Sequence, residues 1–179
     1  MSNTKVITGK CRLSYVNIFQ PKSINGSDPK YSVSVLIDKR DKETLEKIEK
    51  AIKAAEELGK ASKWGGKIPK NLKRPLRDGD EEREDDEAYR GHYFVNATSL
   101  AKPGVVDRDL NEIIDPTEVY SGCYARLSLN FYPFDVNGNR GIACGLNNIQ
   151  KWADGEPLGG RTRPEDDFET IEDEDDFLS

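Results

Sequence analysis

The sequence predicts a mainly β domain with one helix, which we interpret as a five-stranded OB-type Greek-key barrel. Three observations lead to this prediction. Apolar and polar residues alternate along most of the segments between residues 5 and 149, as in strands that are buried on one face. Residues 41–59 instead carry apolar residues at helical spacing, and Asn137-Gly138-Asn139 is typical of a hairpin turn. Five strands and one helix fit a small barrel with a filled interior and an outer binding face.

The first two strands are predicted at residues 5–19 and 31–37, separated by a turn rich in Asn, Gly, Asp and Pro. In the first strand, Lys10, Arg12 and Ser14 alternate with apolar residues and are expected to face outward. The residues expected to face inward are Cys11, Leu13, Tyr15, Val33, Val35 and Ile37.

The helix is predicted at residues 41–59, with Asp41 as its N-cap and Gly59 at its C-terminal end. Its position between the second and third strands differs from the usual OB arrangement, in which the helix follows the third strand. The apolar residues that recur every three or four positions are Leu45, Ile48, Ile52, Ala55 and Leu58.

Residues 60–87 form an insertion in which a basic half precedes an acidic half. Because glycine and proline are frequent here, we expect no packed element. The basic half is predicted to be a mobile arm in which Trp64 stacks on a base or sugar beside Lys63 and Lys67. The alternative, a solvated loop whose two halves neutralise each other, remains open.

The remaining strands are predicted at residues 89–100, 123–134 and 140–149, the last two joined by the hairpin turn. In the fourth strand, alternation places an apolar face toward the core. The residues of that face are Cys123, Ala125, Leu127, Leu129 and Phe131.

The opposite face of the fourth strand carries Tyr124, Arg126, Asn130 and Tyr132. Exposed aromatic rings beside a cation are typical of proteins that bind single-stranded nucleic acid, where bases stack on the rings and cations contact phosphates. We expect the other strands and the basic arm to extend this surface. The candidates there are Lys10, Arg12, Arg90, His92, Phe94, Trp64, Lys63 and Lys67.

Residues 165–179 contain nine carboxylates and no Lys or Arg. Such a run cannot bury enough apolar surface to fold and is predicted to be a disordered tail. Outside it, 27 basic side chains face 24 acidic ones, so a cationic body is joined to a polyanionic tail. The tail is expected to compete with a bound polyanion.

The sequence gives little support to an enzyme and predicts no cofactor or metal. Aspartates at 78, 80, 85, 86, 107 and 109 could be considered as magnesium ligands, but they lie in Gly-rich or highly charged loops. The three cysteines lack CxxC spacing and are interpreted as reduced core residues. No apolar stretch approaches the roughly 20 residues that span a bilayer, so we expect a soluble, cytosolic protein.

Several runs resemble a family of phage and prophage single-stranded-DNA-binding proteins, long catalogued as a domain of unknown function. These runs are KPGVVD (102–107), YSGCYAR (120–126), NFY (130–132), GNRG (138–141), GLNNIQK (145–151) and DGEPLGG (154–160). The resemblance implies an OB-fold protein that coats single-stranded DNA in phage replication or recombination in the bacterial host, with a tail that competes with DNA and recruits replication or recombination proteins. The candidate partner-binding residues of that tail are Phe168, Asp175, Asp176 and Phe177.

Together these observations predict a domain at residues 1–155, a linker at 156–164 and the tail at 165–179. The favoured function is sequence-tolerant binding of single-stranded DNA without enzymatic activity, and a homodimer is left open. The alternative is a β-barrel interaction or virion protein that does not bind DNA and has an acidic solubility tail.

Overall fold

Eight strands and one long helix make up the computed structural model, which describes residues 3–23, 26, 28–158 and 168–171. The helices are α1 (Lys42–Ser62) and the single-turn α2 (Gly79–Glu82), with short 3-10 turns at Glu87–Tyr89 and Pro116–Glu118. The strands are β1 (Lys5–Ile7), β2 (Cys11–Lys22), β3 (Lys30–Asp38), β4 (Arg77–Asp78), β5 (His92–Ser99), β6 (Gly104–Val106), β7 (Tyr124–Val136) and β8 (Asn139–Ala153).

Five of these strands close into a barrel. The order around it is β2, β3, β5, β8 and β7, and β7 pairs again with β2. Within the barrel all pairs are antiparallel except β5 with β8. Strands β1, β4 and β6 are short and pair with β7, β5 and β8. The predicted OB-type barrel, with its helix between the second and third barrel strands, is therefore confirmed.

The alternation predicted along the fourth barrel strand, β7, is confirmed by burial except at Ser128. The expected inward residues are all buried, whereas Tyr124 and Asn130 are partly exposed and Arg126 and Tyr132 are exposed. Ser128, which the same alternation places outward, is buried and is contacted by the Asn147 side chain at 3.4 Å. The hairpin to β8 is also confirmed. Asn137 has a φ of 51° and Gly138 a φ of 85°, as a type I′ turn requires.

The first predicted strand is instead two strands, and its inward face is wrong at Tyr15. The side-chain hydroxyl of Thr8 accepts a hydrogen bond from the backbone of Leu127 at 3.0 Å, and the chain bends before β2 begins. At Tyr15 φ is 49°, and the register with β3 shifts between Ser14 and Asn17. This irregularity turns Tyr15 out of the core, where it is 56% exposed. Ser14 keeps its register with Ser34, and both are buried although alternation places them on the outer face.

Helix α1 begins as predicted but ends later. The Asp41 side chain accepts a hydrogen bond from Thr44 N at 3.2 Å. Gly59 lies inside the helix, where it is buried, whereas Leu58 is 46% exposed. A Cβ on Gly59 would stand 2.6 Å from the Trp64 ring, so this glycine permits close packing and does not mark the end of the helix.

The basic half of the insertion packs against the barrel core through Trp64. Trp64 is 5% exposed, belongs to the barrel core and donates its indole N–H to the Phe134 carbonyl at 3.2 Å. Leu72 and Leu76 pack against the same core. The prediction that Trp64 is an exposed stacking residue is therefore wrong, because apolar residues inside the charged run anchor the segment.

The three cysteines are buried, as predicted. Burial raises the pKa of Cys11 to about 12 and also raises the pKa of Cys123 and Cys144. In the part of the chain that the structure describes, no helix is long and apolar enough to cross a membrane.

Candidate nucleic-acid interface

The outer face of β3 and β5 is covered by the acidic half of the insertion. The ring of Tyr89 meets the ring of Phe94 edge to face, with centroids 5.0 Å apart, and its hydroxyl donates to Ser34 Oγ at 3.0 Å. Leu36 is buried beneath these rings. Phe94 is only 3% exposed, so the prediction that it offers a stacking surface is wrong.

Arg83 joins this layer to β2. Its guanidinium lies over the rings of Tyr89 at 4.8 Å and Tyr15 at 5.2 Å, and it donates to the Tyr15 hydroxyl at 2.6 Å. These contacts fix the exposed Tyr15 ring at the edge of an open cleft of about 550 Å³. The cleft is lined by Arg12, Ser14, Tyr15, Asp86, Glu87, Ala88, Ser121, Glu156, Pro157 and Leu158.

Next to this cleft, two cations flank the partly exposed ring of Tyr124. Lys10 Nζ lies 4.9 Å and Arg12 Cζ 5.8 Å from the ring centroid. Register explains the arrangement, since Arg12 of β2 pairs directly with Tyr124 of β7. Arg12 also donates to the carbonyls of Gly122 at 3.1 Å and Glu156 at 2.7 Å. These acceptors are neutral, so they orient the guanidinium without neutralising its charge.

Arg126 follows on the same face of β7. Its Nε donates to Gln150 Oε1 at 2.5 Å, and this acceptor is also neutral. Within residues 3–158 as described, no salt bridge includes Lys10, Arg12 or Arg126. We call the set with Tyr15 and Tyr124 the aromatic–basic face. Its members are Lys10, Arg12, Tyr15, Tyr124 and Arg126.

Several cations elsewhere are instead paired with carboxylates. Lys39 Nζ contacts Asp78 at 2.8 Å and Asp80 at 2.7 Å. These are two of the aspartates considered above as magnesium ligands. The hydrogen bonds to Asp78 and Asp80 hold the pKa of Lys39 above its usual range. Arg74 pairs with Glu49 at 3.0 Å.

Several predicted site residues lie apart from this face. Asn130 and Tyr132 are on the half of β7 toward the hairpin, where Asn130 accepts a hydrogen bond from Thr4 at 3.0 Å. Burial raises the pKa of the Tyr132 hydroxyl. The other members lie in three places. Lys63 and Lys67 are exposed beside the buried Trp64, and Arg90 is exposed after the 3-10 turn. His92 Nδ1 lies 2.7 Å from the Arg90 carbonyl oxygen, which accepts a hydrogen bond when Nδ1 carries the proton.

Sequence reasoning missed Tyr15, Arg83 and an exposed tryptophan on β8, Trp152. Tyr15 follows the alternation of an inward residue until the irregularity in β2, and Arg83 lies in a run dominated by acidic side chains. Trp152 was missed because the strand was predicted to end at residue 149, whereas β8 continues to Ala153. An aromatic ring next to the cation of Lys151 is the pattern in the sequence that could have indicated a binding residue.

The candidate tail residues Asp175, Asp176 and Phe177 lie outside the described residues. Phe168 is described and is 74% exposed. The described chain reaches the cleft just before the tail, since Leu158 N donates to the Ser121 carbonyl at 2.9 Å.

Comparisons with known proteins agree with this architecture. Residues 4–178 match the family described as "Enterobacter phage Enc34, ssDNA-binding protein". A relative in Acyrthosiphon pisum secondary endosymbiont phage 1, putative protein p50, is 30% identical, and the alignment covers 93% of this chain and 94% of the relative.

Two solved structures share the fold. The single-stranded DNA-binding protein of bacteriophage Enc34 in complex with ssDNA has a TM-score of 0.76 at 24% identity, covering 87% of this chain and 90% of that one. The single-stranded DNA-binding protein gp2.5 of bacteriophage T7 has a TM-score of 0.58 at 16% identity, covering 91% and 99%. With the family match over nearly its whole length, the chain belongs to the Enc34 family of phage single-stranded-DNA-binding proteins.

Proposed function

We propose that this protein binds single-stranded DNA with little sequence preference and coats it during phage replication or recombination in the host cytoplasm, without enzymatic activity. The observation that carries the proposal is the aromatic–basic face. Exposed tyrosine rings stand there beside cations whose hydrogen-bond partners are neutral. Bases stacking on aromatic rings contribute about 1–3 kcal/mol each, independent of sequence.

The arrangement also favours a single strand over a duplex. The cations and rings lie together on the outer side of β2 and β7, where Lys10 and Arg12 approach the Tyr124 ring. Stacking on a side-chain ring requires an unpaired base, which a duplex does not offer without the cost of unpairing. We therefore expect phosphates and base faces, and not base edges, to supply the affinity.

The acidic tail is proposed to compete with DNA and to recruit replication or recombination proteins when DNA displaces it. We retain residues 1–155 as the binding domain, 156–164 as a linker and 165–179 as the tail. Support comes from the position of Leu158, which lines the cleft and is held there by Ser121. A tail that begins a few residues later starts close to the cationic face.

The proposal is tested by titrating labelled oligo-dT and a matching duplex, followed by fluorescence anisotropy at several salt concentrations. We expect tighter binding to the single strand, and log K that falls linearly with log salt at about −0.7 per neutralised phosphate. Substituting oligo-dA or oligo-dC should change the affinity little. Tighter binding to duplex, or no dependence on salt, would contradict this mechanism. No binding at low salt would favour the alternative, a β-barrel interaction or virion protein.

A further inference from the structure

A small hollow on the outside of β7 and β8 lies next to the aromatic–basic face and was not predicted. It has a volume of about 190 Å³ and is lined by Arg108, Arg126, Gln150, Lys151 and Trp152. Trp152 reaches it because β8 is irregular at this point. Tyr124 pairs with Ala153 and Ala125 with Lys151, so Trp152 is the extra residue of a bulge. Bulges commonly redirect a side chain at a binding site.

The two tryptophans of the chain differ in a way that points to a ligand at Trp152. Trp64 is 5% exposed and its indole N–H is satisfied by Phe134. Trp152 is 38% exposed, and among the described residues its N–H has no hydrogen-bond acceptor. Trp64 is therefore a core residue, whereas Trp152 offers both a ring face and a donor to an external group.

Of the three cations that line the hollow, Arg126 is oriented by a neutral hydrogen-bond partner and Lys151 is paired with a carboxylate. Gln150 accepts from Arg126 and donates its amide to the carbonyls of Asp107 at 3.3 Å and Arg108 at 3.4 Å. Gln150 therefore links the Arg126 side chain to the backbone at Arg108. Lys151 forms a salt bridge at 2.7 Å with Asp154, but no salt bridge within the described residues includes Arg108 or Arg126.

Two guanidinium groups and an exposed indole match the parts of a nucleotide. A guanidinium presents paired donors that suit phosphate oxygens, and an indole face suits a stacked base. A protein partner with acidic and aromatic residues would use similar contacts, but Arg126 already belongs to the face proposed for DNA. Continuity with Tyr124, whose strand pairs with the bulge, therefore favours a nucleotide.

We infer that this hollow binds one nucleotide of the single strand, with its base on Trp152 and its phosphate between Arg108 and Arg126. The inference rests on the proposed function and extends it. It gives the strand a path that crosses from β2 over β7 onto β8, and it assigns a binding role to Arg108 and Trp152.

Tryptophan emission tests the stacking contact. Oligo-dT should quench the emission of the full-length protein, and the quenching should come from Trp152, because Trp64 is shielded in the core. In Trp152→Phe, measured at oligonucleotide concentrations that anisotropy shows to be saturating, most of the quenching should be lost. Trp152→Ala should weaken binding by about 5- to 150-fold, the range for one stacked base.

Salt dependence tests the phosphate contact. Arg108→Ala should reduce the magnitude of the salt slope by about 0.7, the value for one phosphate on a single strand. Arg140→Ala is the matched control, since it removes the same charge from an exposed arginine at the hairpin, paired with Asp135 at 3.2 Å. Its slope should equal that of the wild type.

The outcomes separate this inference from the proposed function. If the wild type binds and Tyr124→Ala weakens binding, but quenching persists in Trp152→Phe and Arg108→Ala matches Arg140→Ala, the path does not include the hollow and the inference is overturned. If deleting residues 165–179 changes Trp152 emission while DNA does not, the occupant is the tail and the inference is again overturned. If the wild type does not bind at all, both fail.

Discussion

Arg12 is the residue that connects the separate parts of the aromatic–basic face. It contacts the Tyr124 ring and donates to carbonyls from two different segments, at Gly122 and Glu156. Because the guanidinium has several donors in a fixed plane, it can make both bonds and still carry a full charge toward solvent. A lysine here would be a point charge on a flexible stem and would not hold the two segments in register.

Tyr124→Ala should weaken binding to oligo-dT by the free energy of one stacked base, about 1–3 kcal/mol, with little change in the free energy of unfolding. The reason is that its neighbours Lys10 and Arg12 contact the outer ring, whereas the core lies on the other side of β7. Anisotropy titration and denaturant unfolding measure the two quantities. Arg126→Ala should also weaken binding, because it removes a positive charge from the same face.

Leu127→Ala is the matched control from the same strand, because Leu127 is buried in the core. It should cost about 2–5 kcal/mol of unfolding free energy, while the protein that remains folded binds normally. Wild-type affinity in Tyr124→Ala would remove this ring from the proposed DNA path.

The three cysteines should be unreactive toward a thiol reagent in the native protein at pH 8. Only the thiolate reacts, and burial raises the pKa of Cys11 to about 12 and shifts the other two in the same direction, so the thiolate is scarce at that pH. All three should react after unfolding in denaturant. Fast labelling of one cysteine under native conditions would mean that a buried segment opens readily.

Among the elements, β7 was predictable and β2 only in part, for a physical reason. Along β7, every second residue from Ala125 to Phe131 belongs to the core, so alternation identifies the inward face, although Ser128 on the other face is also buried. In β2, the left-handed conformation at Tyr15 turns this residue out of the core, and its ring contacts Arg83 from a distant segment. Long-range contacts of this kind leave no periodic signal in a single sequence.

Gly59→Ala should destabilise the protein by about 1–3 kcal/mol, although alanine favours helices over glycine. The added Cβ would stand 2.6 Å from the Trp64 ring and 2.7 Å from Pro133, so the ring must shift within the core. Lys60→Ala, an exposed substitution in the same helical turn, should have little effect. Thermal unfolding compares the two, and an increase in Tm for Gly59→Ala would show that the contact relaxes without cost.

Across the whole molecule, the charge segregation seen in the sequence becomes a spatial separation. The acidic half of the insertion covers β3 and β5, and its carboxylates neutralise cations such as Lys39 and Arg77. The aromatic–basic face on β2 and β7 keeps its positive charge. Composition indicated a cationic body, but only the barrel topology brings Lys10, Arg12 and Tyr124 together.

Deleting residues 165–179 should raise the affinity for single-stranded DNA, most clearly at low salt, where the charges of the tail are least screened. The path from Leu158 to Phe168 is ten residues, which extend to about 35 Å at most, so the tail can reach the aromatic–basic face from its anchor at Ser121. At that reach its effective concentration is on the order of millimolar.

Replacing both Phe168 and Phe177 with Ala should reproduce part of this gain at constant charge, because the two rings would no longer occupy positions where bases stack. A tail that serves only solubility predicts something else: deletion would promote aggregation but leave the affinity within about twofold once the change in net charge is considered. Full-length and truncated proteins are titrated against one oligonucleotide at two salt concentrations. Equal affinities at both salts would rule out competition, whereas a gain that shrinks as salt rises is the signature of a tail and a DNA strand that share one cationic face.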